Sequence, residues 1–138
     1  MKSQHFKLEE FIPKGLIDTI HGDLLWSMVD PKLVESVDKI KEVFSLGTAT
    51  INSYRWGGGR EWSGIRTKDS KYYSEGSMHS VGKAVDMVFS AYPVDAVRTY
   101  ILENQDTFPG IGGIELGVSW LHVDTRDRVD GRIVTFNP

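Results

Sequence analysis

The stretch SMHSVGKAVDMVFS, residues 77–90, reads as a glycine-containing turn that feeds a core strand over residues 83–90. It places His79 and Asp86 seven residues apart, one in the turn and one on the strand. Asp86 is an unusual occupant of a strand pattern, because carboxylates are rarely buried without a partner. The chain has only four histidines, His5, His21, His79 and His122, and no cysteine. Disulfides and thiolate metal sites are therefore excluded, and any metal must be held by imidazole and carboxylate alone. His5 and His21 lie in no such pattern and read as ordinary surface or core residues.

The second informative segment is WLHVD, residues 120–124. On a strand, Trp120, His122 and Asp124 share one face while Leu121 and Val123 point to the other, toward a core. A polar row beside an apolar one points to a site as well as to packing. Residues 111–116 and 119–125 suggest a hairpin turning at Gly117-Val118. That register sets Glu115 opposite Trp120 and on a diagonal to His122, at ~7–8 Å or somewhat less. Two histidines and one aspartate leave a tetrahedral zinc one open position for water, whose pKa the metal lowers to ~7. A carboxylate just outside the ligands, for which Glu115 is placed, would then serve as general base.

Outward from these segments the chain reads as α+β. Residues 13–29 are broadly helical, with Gly22 as a break. Residues 31–44 form a clearer helix: Asp30 caps it, Pro31 opens it, and Leu33, Val37, Ile40 and Phe44 recur at helical spacing before Gly47. A strand is expected over residues 48–54, a helix from Pro93 to about Asn104, and a last strand over 132–136. Helices first and strands later predict a small antiparallel sheet carrying the metal site, packed with the N-terminal helices and one later helix. Between Trp56 and Met78 lies a Gly-, Ser- and aromatic-rich tract without period; a loop of this length is usually functional or disordered, and its aromatics and arginines favour an ordered binding surface.

The 138 residues suit one domain, 1–138. A net charge of −3 argues against a nucleic-acid partner, which would favour a basic surplus. No apolar run approaches the ~20 residues of a membrane span, and no secretory signal is visible at the start. The expected product is a monomer, made in the cytoplasm and delivered by other means.

The run Ser77-x-His79-x-x-Gly82-x-Ala84-x-Asp86, with Trp120-x-His122-x-Asp124 and the upstream Ser63-Gly64-Ile65-Arg66, resembles the M15 peptidases. These are zinc D,D-carboxypeptidases and endopeptidases of peptidoglycan, including phage endolysins, and they share a fold with the hedgehog signalling domain. The resemblance covers roughly residues 50–126. It implies one zinc per chain on His79, Asp86 and His122, and a peptidoglycan stem peptide as substrate. It also implies action on the cell wall after release, or from a virion. The arginine that this family places ahead of its first motif falls on Arg66, with Arg55 in reserve; its planar fork suits a substrate carboxylate. Ser77 and Trp120 are further substrate-binding candidates, and Trp56, Trp62, Tyr72 and Tyr73 could floor a peptide groove. One departure stands out. Many members carry an acidic base three residues before the last histidine, where this chain has Ser119, so the role passes to Glu115 or Asp124. The alternative is a zinc-stabilised wall-binding or virion domain of the same fold that cuts nothing.

Overall fold

The helical tract over residues 13–29 resolves into separate short turns. The computed structural model describes residues 1–138 and opens with three short helices: α1 (Leu8–Phe11), α2 (Lys14–Ile17) and α3 (Gly22–Ser27). The break falls just before Gly22, because His21 caps α3, its ring accepting the Asp23 amide at 3.3 Å. The next helix, α4 (Pro31–Val43), begins as its sequence requires, with the Asp30 carboxylate accepting the Lys32 amide at 3.0 Å. It buries Leu33, Val34, Val37 and Ile40, each no more than 2% exposed.

Five strands follow: β1 (Ala49–Thr50), β2 (Ala84–Phe89), β3 (Gly113–Glu115), β4 (Leu121–Asp124) and β5 (Val134–Phe136), in the sheet order β1-β2-β4-β3-β5. Helix α5 (Val94–Glu103) lies between β2 and β3 and buries Val97 and Ile101. The fold is thus α+β, with helices leading and the sheet behind, but the sheet is mixed. β1–β2, β2–β4 and β3–β4 are antiparallel, whereas β5 runs parallel to β3. The reason is the path after β4. Arg128 binds the carbonyls of Ile111, Gln105 and Phe108, and a tight turn at Asp130-Gly131 then returns the chain along the outside of β3.

The expected strand over 48–54 shrinks to Ala49–Thr50. Asn52 draws the chain away from the sheet, its amide donating to the carbonyls of Glu9 and Ile12 and its oxygen accepting the Ser63 amide at 2.9 Å. Tyr54–Trp56 is a 3-10 turn instead. The aromatic loop is ordered by similar bonds: Ile65 donates to the Phe11 carbonyl at 2.8 Å, and the Asp86 amide donates to the Ser63 carbonyl at 2.8 Å. One buried apolar cluster runs from Phe6 to Ile133 and joins the helices to one face of the sheet. No helix is long and apolar enough to cross a membrane.

Candidate metal centre

His79 sits in a 3-10 turn, Met78–Val81, capped by Ser77, whose hydroxyl accepts the His79 amide at 3.2 Å. Gly82 closes that turn at φ 74°, and a Cβ there would run into the Met28 carbonyl. The same residue accepts the Asp30 amide at 2.9 Å, so the start of α4 fixes the histidine turn. Asp86 lies on β2 opposite His122 on β4. The alternation read in β4 holds: Leu121 and Val123 are fully buried in the core, while His122 faces the site.

The ligand-type atoms of His79, Asp86 and His122 all lie within 4.8 Å of one another, and all three residues are buried. The Asp86 Oδ1 stands 3.3 Å from His79 Nε2 and 3.0 Å from His122 Nδ1. Ligands on a tetrahedral metal at ~2.0–2.1 Å are separated by about 3.3 Å, so these edges are of the right size. The other ring nitrogens are held from behind: His79 Nδ1 lies 2.8 Å from the Gly64 carbonyl, and His122 Nε2 lies 2.9 Å from Asp124 Oδ2. Such outer contacts fix the tautomer and aim the free nitrogen at a metal. Two imidazoles and a carboxylate, with no thiolate, make a donor set able to hold a metal ion.

Burial opposes an imidazolium at His122, but Asp124 and Asp86 outweigh it and hold its pKa at about 9. Burial likewise opposes charge on Asp86, yet His122 and His79 pull its carboxyl well below the usual range. Asp124 follows the same logic: burial is outweighed by His122 and Arg126, and its pKa falls to about 2.

The trio opens into a cleft of about 550 Å³. Glu115 lines it, half-buried, as do Trp62, Arg66, Tyr72, Ser77 and Trp120. The hairpin register differs from the sequence reading. Gly113 pairs with Asp124 and Ile114 with Val123, which continued by one residue puts Glu115 opposite His122, not Trp120. The connection is wider than a two-residue turn because Arg98, from α5, binds the carbonyls of Val118 and Trp120 at 2.9 Å each.

Other expectations fare differently. Asp124 is wholly buried and does not line the cleft; its carboxylate is divided between His122 and Arg126, the geometry of a group orienting His122. Arg55 does not border the cleft and pairs with Glu9 at 3.1 Å. Trp56 is 60% exposed beside it, and neither Trp56 nor Tyr73 borders the cleft. Arg66 does line the cleft, but its Nη2 donates to Asp86 Oδ2 at 3.0 Å and its Nε to the Trp62 carbonyl at 2.8 Å. Ser77 is spent in part on capping, and the buried Trp120 Nε1 has no acceptor. His5 and His21 stand elsewhere, the first near Glu42 and the second at its helix cap.

The sequence reading missed Arg60, Glu61, Met78, Arg126 and Phe136, all of which border the cleft. Arg126 had a signal, since it continues the spacing of Trp120, His122 and Asp124. Phe136 had none, for β5 reaches the site only through its parallel pairing with β3. No protein-family model, curated protein or solved structure matches the chain.

Proposed function

We propose that this protein is a zinc-dependent peptidase that hydrolyses an amide bond next to a D-amino acid in the peptide of bacterial peptidoglycan. The observation that carries the reading is the buried His79–Asp86–His122 trio, opening into a cleft that also holds the carboxylate of Glu115. The resemblance of the Ser77–Asp86 and Trp120–Asp124 motifs to the M15 peptidases supports the choice of zinc and of substrate. It also suits a phage or prophage lysis enzyme.

His79 Nε2, Asp86 Oδ1 and His122 Nδ1 would hold the zinc. When bound, the metal supplies an activated water and polarises the scissile carbonyl. Glu115 takes the role of general base, accepting the water proton and returning it to the leaving amine. Full burial and the bonds of Asp124 to His122 and Arg126 favour Glu115 over it as the base, and support a role for Asp124 in fixing the His122 ring. Arg66 holds the second Asp86 oxygen and so orients the carboxylate. Trp62 and Tyr72 offer apolar walls for a peptide backbone.

The test joins zinc content to turbidity loss on purified peptidoglycan, for the wild type and Glu115→Gln. Near one zinc per chain is expected in both, with the variant's rate down about 10²–10⁴-fold. A wild type that holds zinc but releases no peptide product would instead favour a wall-binding domain. Equal lysis by Glu115→Gln would remove Glu115 from the mechanism.

A further inference from the structure

Arg126 holds the carboxylate behind His122 from three sides. Its Nε donates to Asp124 Oδ1 at 2.7 Å, its Nη2 donates to Oδ2 at 2.6 Å, and its backbone amide donates to Oδ1 at 3.2 Å. The first two bonds form the parallel fork that a guanidinium makes with a carboxylate and that a lysine cannot copy. The Oδ2 gripped in this way is the oxygen that lies 2.9 Å from His122 Nε2. Arg126 therefore reaches the imidazole through a single carboxylate.

A second contact runs through the last strand. The Arg126 guanidinium lies over the Phe136 ring, 4.4 Å from its centroid. The same ring meets the His122 imidazole at 81°, with centroids 5.5 Å apart. Carboxylate and phenyl ring thus both touch His122, and Arg126 holds them together.

The backbone of β3 leaves room for this arrangement. Gly112 and Gly113 have no left-handed φ, so their conformation does not call for glycine. Space does. A Cβ at Gly112 would run into the Arg126 carbonyl, and one at Gly113 would run into both the Asp124 carboxylate and Arg126 Nε.

We propose that Arg126 is a positioning residue of the metal centre, which clamps Asp124 and Phe136 against His122 and so keeps Nδ1 of that ring turned toward Asp86 and His79. The clamp rests on the zinc site of the peptidase reading above, but it is measured apart from turnover. Its sign separates it from a simple effect of charge. A nearby cation opposes a second one, so removing Arg126 for its charge alone would tighten zinc. Loss of positioning weakens it.

Zinc affinity is measured by chelator competition on the full chain. Wild type is compared with Arg126→Gln, Arg126→Lys, Phe136→Leu, Asp124→Asn and the double variant Arg126→Gln/Asp124→Asn. Thermal melting of the metal-free proteins controls for folding, and the visible spectrum of the cobalt-loaded proteins reports ligand geometry. Arg126→Gln should bind zinc about 10-fold more weakly and shift the cobalt bands, with partial recovery in Arg126→Lys. Phe136→Leu, which removes the ring under the guanidinium, should cost roughly two- to fivefold. In the double variant the arginine change should cost less than it does alone, because the route through Asp124 is already broken. Unchanged or tighter zinc in a folded Arg126→Gln overturns the clamp, as do fully additive losses in the double variant. If Arg126→Gln does not fold, wild-type affinity in both Arg126→Lys and Phe136→Leu overturns it. A wild type that takes up no zinc overturns the clamp and the peptidase reading together. Zinc binding that needs Arg126, in a chain that cleaves no peptidoglycan, keeps the clamp and sinks the peptidase reading alone.

Discussion

Asp124 has no exposed surface, and its oxygens meet the His122 ring on one side and the Arg126 guanidinium on the other. Replacing it with Asn removes the charge that holds His122 Nε2–H, leaving the ring free to turn. Outer partners of this kind change metal affinity by about 10–100-fold, so Asp124→Asn should weaken zinc by that factor in a chelator competition. Unaltered affinity would show that the ring needs no such support. The His122 proton sets a second expectation. Its folded pKa of about 9 exceeds the ordinary value of 6.5, so in metal-free protein this group's stabilisation is complete below pH 6.5. It is lost as pH rises through 9. Because a metal must displace that proton, zinc affinity should climb by up to about tenfold per pH unit below the folded pKa. Titrations at pH 6, 7 and 8 in weakly coordinating buffers would check the slope, and a flat profile would contradict a protonated His122.

At the scale of elements, the histidine turn, the start of α4 and strand β2 are locked through one glycine. Gly82 combines a left-handed φ of 74° with close approach to Met28. Gly82→Ala must strain the backbone and push the Met28 carbonyl away, so it should cost more than about 1 kcal/mol. Chemical denaturation measures this directly, and zinc uptake should fall with it because His79 lies in the same turn. A Gly82→Ala protein as stable as wild type would show that the turn can relax without cost. Gly113 plays a comparable part on β3, where a Cβ would collide with the Asp124 carboxylate. The hairpin can therefore seat Asp124 against His122 only if its opposite residue has no side chain.

Over the whole molecule, the trio joins two strands and the turn ahead of β2, so a metal would brace that turn against the sheet. A ligand that binds only the folded state stabilises it by about 2.7 kcal/mol at one hundred times its dissociation constant. For a chain of this size, stripping zinc should lower Tm by roughly 10 °C. Calorimetry before and after chelation, with re-addition of zinc, gives the answer. A Tm indifferent to zinc would mean that the trio does not bind it in the folded protein.

What the sequence determined by itself was local. Asp30 and Pro31 set the start of α4, the period-two pattern of residues 120–124 set the two faces of β4, and the scarcity of histidine pointed to His79 and His122 beside Asp86. These follow from caps, alternation and ligand chemistry, which act over a few residues. The tertiary structure decided what depended on distant partners. Arg98 on α5 holds the wider connection that sets Ile114 opposite Val123, and Asn52 pulled the chain out of the first strand. The turn at Asp130-Gly131 laid β5 parallel to β3 and delivered Phe136 to the cleft. Bonds between side chains and remote carbonyls also sorted the arginines, sending Arg55 to Glu9 and Arg66 to Asp86 and leaving the terminal nitrogens of Arg60 free. Such sorting has no period in the sequence, because each partner is chosen by where the backbone has already been folded.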